Sequence, residues 1–320
     1  MQFDPISRII LLKTRKKMPV KKDFGDVFKE IRIDRGYSQQ YVAEGIMGQS
    51  AYSKIERNEI EPTFRKWLAI LEKLNVSVDE FRYILNKEDL TAKEKLINEF
   101  LSLNANHLDD LKLLKDAINE YLKVEEDYLL RNFYYACESL IILHATQNIE
   151  EAQFFAKKVW DRMDKFDKWY LLDIRLINYI LFIFPIDVAV NIGKRVIQQL
   201  APYHKLKEAE VLLINIDINL ALLLIDDKKY LEALSYLEKV IPLCKKSQKY
   251  NQLAIAYARK GIILTKTGRT EEGSEYIKKA CAILHAIEDT KLLSELEKEL
   301  SHYLNMESES PLQLDMLLQE

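Results

Sequence analysis

Between Leu140 and Ala280 the chain repeats itself weakly, four times over. Each segment reads as a first helix, a short polar turn, and a second helix that opens near a small residue. The small residues are Ala152 in Glu150-Glu151-Ala152, Ala189 in Asp187-Val188-Ala189, Ala233 in Leu231-Glu232-Ala233, and Gly273 in Glu271-Glu272-Gly273. Their spacings are about 37, 44 and 40 residues. Seven positions after each stands Val159, Val196, Val240 or Ala280, and twelve before each stands Leu140, Ile177, Ala221 or Gly261. A helix pair cannot bury its apolar face alone, so such units stack on their neighbours. No strand alternation appears beyond residue 91. Glycine (8) and proline (7) are scarce in 320 residues, which suits long helices and disfavours hairpins and glycine-rich phosphate loops. The fold class predicted is therefore all-α.

The N-terminal part has a different texture. Phe24, Val27, Phe28 and Ile31 recur at helical spacing, and Arg35-Gly36 stops that helix. Ser38 caps a second helix over Gln39 to Glu44, with Val42 and Ala43 inward. Gly45 to Gly48 turn, and a third helix runs from Gln49 to Arg57. Pro62-Thr63 open a fourth, with Phe64, Trp67, Leu68 and Leu71 on one face. Ser77 caps a fifth, with Val78, Phe81 and Leu85 inward. The expected organisation is a basic extension over 1–22, a five-helix domain over 23–86, a helical-repeat domain over 91–304 and a tail over 305–320. A last helix near Thr290 to Leu304 caps the stack, and a degenerate fifth repeat falls within 92–127.

Several classes are disfavoured. The formal net charge of -3 is not that of a basic nucleic-acid coat, so any DNA contact needs a local basic surface. Cys137, Cys244 and Cys281 have neither disulfide-framework nor zinc spacing and read as reduced cytoplasmic thiols. The five histidines have no partner at metal-binding spacing, so no metal is expected. No apolar run approaches the roughly 20 residues that span a bilayer. In the extension, the charges Lys13 to Lys17 follow the apolar run Ile9 to Leu12, the reverse of a secretory signal. The extension reads as disordered or as preceding a start at Met18, with an arm on DNA phosphates as the alternative. No phosphate loop, dinucleotide turn, His-Glu-x-x-His or nucleophile elbow is present, so no enzyme, catalytic residue or cofactor is expected.

The run Ser38-Gln39-Gln40-Tyr41-Val42-Ala43-Glu44-Gly45-Ile46-Met47-Gly48-Gln49-Ser50-Ala51-Tyr52-Ser53-Lys54-Ile55-Glu56-Arg57 resembles the Cro/repressor helix-turn-helix. Gln39 opens the second helix, Ala43 packs the two helices together, and Ser53 to Glu56 close the recognition helix. A recognition helix presents its N-terminal polar side chains to base edges. Gln49 and Ser50 stand there, with Ser53 one turn on, and glutamine suits adenine. Gln39, Lys54, Arg57, Arg65 and Lys66 are placed for phosphates, which position without specifying. More narrowly, Gly36-Tyr37-Ser38-Gln39 through Glu44 to Lys54 looks like the Rgg family of Gram-positive regulators. That resemblance implies a cytoplasmic homodimer on double-stranded DNA, with a repeat domain that receives a short peptide pheromone.

The repeats resemble tetratricopeptide repeats, somewhat lengthened. Aligned on their small residues, they put Arg175, Asn219 and Arg259 at one equivalent position, with Asn178 and Asn215 beside it. In tetratricopeptide domains these positions face the groove. Asparagine can bond both main-chain groups of a peptide, and arginine can clamp a carboxylate. Phe182, Leu222 and Ile262 are expected to supply apolar pockets, with Tyr134 and Glu138 as weaker members. The competing reading has the asparagines bonded between helices and the arginines paired with acids of the next repeat. At the level of the whole chain the alternative is a helical-repeat adaptor, or a regulator without a peptide ligand.

Overall fold

The computed structural model describes residues 22–86, 90–102 and 108–304. The basic extension and the C-terminal tail lie outside the described residues. The chain divides into two compact units, Met1–Ser102 and Leu103–Glu320. Among the described residues there is no strand.

The first unit contains α1 (Phe24–Asp34), α2 (Gln39–Ala43), α3 (Gln49–Glu56), α4 (Phe64–Leu74), α5 (Val78–Asn86) and α6 (Ala92–Ser102). Ser38 accepts a bond from Tyr41 N at the head of α2. Ser77 and Glu80 exchange bonds at the head of α5, a capping box that satisfies two orphan amides. Val27, Phe28, Ile31, Val42, Ala43, Tyr52, Ile55, Ile70, Leu71, Leu74, Phe81 and Leu85 form one core. α1 crosses α3 where Gly25 meets the Ile55 carbonyl, and any Cβ there would lie 2.0 Å from that oxygen. Gly25 N also donates to Asn58 Oδ1 at 2.8 Å.

Three apolar residues expected inside are not enclosed. Phe24 is 46%, Phe64 72% and Val78 41% exposed. Each is the first residue of its helix. The apolar period is right, but the first residue of each helix stands beyond the turn that meets the core.

In the second unit, α7 (Leu108–Leu122) leads into four helix pairs and a cap. The pairs are α8 (Tyr128–Thr146) with α9 (Ile149–Met163), α10 (Leu171–Ile180) with α11 (Ile186–Leu200), α12 (Lys207–Asp226) with α13 (Tyr230–Lys246), and α14 (Tyr250–Lys266) with α15 (Thr270–Ala286); α16 (Thr290–Leu304) closes the series. Ala152, Ala189, Ala233 and Gly273 are all buried, as are Val159, Val196, Val240 and Ala280. α10 is much shorter than the other first helices because Pro185 follows Phe184, whose extended backbone ends it through the 3-10 turn Leu181–Ile183. Successive first helices pack on one another, α8 on α10, α10 on α12, α12 on α14, and α14 on the cap α16. Successive second helices make no comparable contact among the described residues. The stack therefore curves with its first helices on the inside, which is the right place for a concave face.

No helix among the described residues is long and apolar enough to cross a membrane.

Candidate nucleic-acid interface and ligand groove

α3 begins at Gln49, directly after the extended residue Gly48. Its inner face is Tyr52, Ile55 and Glu56, all buried. Gln49, Ser50 and Lys54 are exposed, and Ser53 is half-buried. Glu56 is a charged residue only 3% exposed, so its carboxylate must be matched inside the protein. Arg32 grips it in a fork, Nε to Oε1 at 2.5 Å and Nη2 to Oε2 at 2.9 Å. The third arm of Arg32, Nη1, donates to the Tyr37 carbonyl at 2.9 Å. Gln39 Nε2 donates to Glu56 Oε2 at 2.7 Å, and Gln39 Oε1 accepts from Gln49 Nε2 at 2.8 Å. A continuous chain, Arg32–Glu56–Gln39–Gln49, thus runs from the core to the exposed head of α3. Burial by itself would raise the Glu56 pKa. The bonds from Arg32 and Gln39 outweigh it and hold the carboxyl below its ordinary range. The neighbouring Tyr52 phenol is pushed up, chiefly by burial.

This geometry refines the expected roles. Gln39 spends its carboxamide on Glu56 and Gln49 instead of pointing outward, so it is a positioning residue for Gln49. Arg57 lies across Glu59 (2.6 and 3.2 Å) and donates to Ser53 Oγ at 3.2 Å. That pair is exposed, and exposed pairs are weak, so a phosphate can displace Glu59. Arg65 and Lys66 are exposed on the first turn of α4. Sequence reasoning passed over Arg32, whose signal was an arginine on the α1 face otherwise facing Ile55 and Glu56.

On the repeat unit, the expected residues come together in part. Asn219 Nδ2 donates to Asn178 Oδ1 at 2.9 Å, joining α12 to α10. Gln252 Nε2 approaches Asn215 Oδ1 at 3.5 Å, a long bond from α14 to α12. Arg175 Nη2 lies 2.7 Å from Glu208, while its Nε is enclosed without an acceptor among the described residues. These four residues stand half-buried on the inner helices, with hydrogen-bonding capacity left over. Phe182 is 39% exposed on the 3-10 turn after α10, and Leu222 is half-buried.

Two expectations need correction. Ile262 is fully enclosed (0% exposed); it sits one residue from the tight α14–α15 crossing at Gly261 and cannot line an open pocket. Arg259 is 7% exposed, and its donors are committed: Nε and Nη2 to Glu299 at 2.7 and 3.0 Å, Nη1 to the Ile218 carbonyl at 2.8 Å. It ties α12, α14 and the cap α16 together. Of the weaker pair, Tyr134 donates to Glu138 at 3.1 Å, and Lys115 lies 3.3 Å from the same carboxylate. The pairings of Gln252 with Asn215 and of Glu299 with Arg259 went unread because each joins positions about 40 residues apart.

Known proteins share this two-part organisation. A model of the C-terminal domain of the HTH-type transcriptional regulator Rgg matches residues 111–298, more than half of the chain. The chain belongs to the Rgg family. A helix-turn-helix model matches residues 28–81 of this Rgg-family chain. No curated protein sequence matches it. Among solved structures, the SHP pheromone receptor Rgg2 of Streptococcus dysgalactiae is 17% identical with a TM-score of 0.69, covering 88% of this chain and 99% of that one. PlcR of Bacillus thuringiensis, solved with the peptide PapR7 and DNA, is 21% identical with a TM-score of 0.64, covering 86% and 98%. ComR of S. thermophilus, solved with DNA and its signalling peptide ComS, is 17% identical with a TM-score of 0.59, covering 88% and 99%. At these identities the likeness is one of fold. The family is one of transcriptional regulators.

Proposed function

We propose that this regulator reads operator DNA through α3 and is controlled by a short peptide held on the inner face of its repeat unit. Gln49 and Ser50 meet base edges; Lys54, Arg57, Arg65 and Lys66 meet phosphates; Gln39 sets the orientation of Gln49. The observation that carries the DNA reading is the buried Arg32–Glu56–Gln39 chain ending on Gln49. It fixes an exposed amide at the head of a helix, where base readout requires a defined rotamer. Arg175, Asn178, Asn215 and Asn219 supply main-chain and carboxylate partners for the peptide, and Phe182 and Leu222 its apolar contacts. Such a regulator acts as a homodimer in the cytoplasm, because one reader covers a single half-site.

A gel-shift series on the gene's own upstream region tests the reader. Gln49→Ala should weaken specific binding by about 1–3 kcal/mol and leave binding to random DNA nearly unchanged. Lys66→Ala should weaken both and lower the slope of log affinity against log salt by about 1 for the phosphate it no longer neutralises. Equal weakening on operator and random DNA for Gln49→Ala would remove α3 from the major groove.

A further inference from the structure

The first unit carries an aromatic patch that its own core does not use. Phe64 is 72% exposed, more than any other large apolar side chain described in that unit; Phe24 (46%) lines the same cavity, and Ile60 (43%) directly precedes its wall residue Glu61. A cavity of about 340 Å³ lies between Phe24, Glu61, Pro62, Phe64 and Trp67. Its walls are held in place. Phe24 stacks on Phe81 at 6.1 Å between ring centres and Phe64 on Trp67 at 6.0 Å. The Trp67 indole N–H at this wall is enclosed and has no acceptor among the described residues, an unmet donor of the kind proteins rarely leave.

The patch contains both a knob and a hole. Phe64 projects and the cavity beside it recedes. Charge is arranged in the same way: Glu61 precedes Phe64 and Arg65 follows it, all exposed. A two-fold contact between copies requires a patch complementary to itself, and a knob beside a hole with both signs of charge supplies the elements of one. Its place in the chain matters too, since residues 57–63 lead straight out of α3 into α4. Readers on adjacent half-sites are related by a two-fold, so they touch only through identical surfaces.

We propose that this patch is a reader-to-reader contact between two copies of the chain, with Phe64 of each seated in the cavity of the other. Glu61 of one copy then faces Arg65 of its partner. The Arg65 guanidinium has five donors and can serve a carboxylate and a phosphate together. The geometry of the contact rests on the DNA reading proposed for α3, and the test separates the two.

Full-length Ile60→Cys, which keeps the Phe64 ring that seats the contact, is incubated with oxidised glutathione, with and without upstream DNA, beside wild type, Tyr83→Cys and the double variant Ile60→Cys/Phe64→Ala. Tyr83 is also exposed but lies on α5 at a different cavity, and the three native cysteines are all buried. Ile60→Cys should form a covalent dimer at least tenfold faster than Tyr83→Cys, and faster still on DNA, and Phe64→Ala should remove that advantage with the melting temperature unchanged. Equal rates for the Ile60 and Tyr83 variants would overturn the contact. So would an Ile60 thiol that stays monomeric yet is shielded from a thiol reagent, which would give the patch to another segment of the same chain. A covalent dimer that shifts no upstream DNA would keep the contact and remove the proposed reader role of α3.

Discussion

Two buried carboxylates in this protein have opposite energetics, and the difference lies in their partners. Glu56 is matched by a bidentate arginine and a glutamine amide. Removing one member of such a pair strands the other, at about 3–5 kcal/mol, so Glu56→Ala should increase hydrogen exchange across residues 24–56. Because its folded pKa lies below the ordinary value of 4.5, Glu56 contributes stability above that value and loses it as pH falls through the lower folded one. The gap between wild type and Glu56→Gln should therefore hold from pH 8 to 6, begin to narrow as pH falls below 4.5, and close once pH is under the lowered folded value. Asp217, on α12, is only 6% exposed. Burial pushes its pKa up to about 6, against some attraction from Lys239. Here the unfolded chain ionises first, so stability falls as pH rises from 3.8 through 6. Asp217→Asn should thus stabilise the protein at pH 7.5, on the order of 2–3 kcal/mol. Calorimetry at pH 7.5 and pH 4 checks this: an advantage that persists at pH 4 would mean the effect is not ionisation.

At the scale of the helix, the small residues of the repeat set how closely paired helices approach. α14 and α15 cross at Gly261 and Gly273. A Cβ on Gly261 would lie 2.8 Å from the Gly273 carbonyl and 2.7 Å from Ile277, and one on Gly273 would lie 2.8 Å from the Gly261 carbonyl. Alanine is the better helix former by roughly 1 kcal/mol, yet a backbone oxygen cannot move aside. Gly261→Ala should destabilise by about 1–3 kcal/mol net. Gly193→Ala should cost less, because the nearest atoms to its Cβ all belong to the Leu220 side chain, which can change rotamer. Thermal melts of the two variants should rank in that order. This crossing was legible in the sequence because small residues recur at the same phase in every pair. Phe64 and Val78 misled because a helical period says which face is apolar but not whether the first turn reaches the core. The groove was harder to read. Alignment of the repeats put Arg175, Asn219 and Arg259 at one position, but only the structure shows that Glu299 on the cap helix has claimed Arg259. That partner belongs to no repeat, so no internal periodicity could reveal it. The helices and core of the first unit were legible almost throughout, since their contacts are local, and the main omission there was the long-range grip of Arg32 on Glu56.

At the scale of the whole molecule, the proposed function requires that a ligand on one unit be coupled to DNA on the other. A peptide shifts DNA affinity only if it favours one state of the chain over another. Coupling is reciprocal, so operator DNA must change peptide affinity by the same factor that the peptide changes DNA affinity. Titration calorimetry with the synthetic peptide encoded nearest the gene, with and without the upstream DNA, should give equal factors. The groove variants then show where the peptide sits. Arg175 is half-buried, and its partner Glu208 is largely solvated, so Arg175→Ala should leave the melting temperature in place. Its removal from the groove should weaken the peptide by roughly tenfold or more, the cost of about 1–3 kcal/mol for a partly solvated charge pair. Arg259→Ala should behave in the opposite way. It leaves the half-buried Glu299 carboxylate and the enclosed Ile218 carbonyl without their partner, so it should lower the melting temperature whether or not peptide is present. If Arg175→Ala kept wild-type peptide affinity while Phe182→Ala also did, the inner face of α10 would not be the ligand site. The asymmetry between the two arginines is a direct consequence of solvent. The same residue type at the same repeat position stays partly solvated, as the proposed ligand contact needs, where no helix covers it, and staples the fold where a neighbouring helix has already displaced the water.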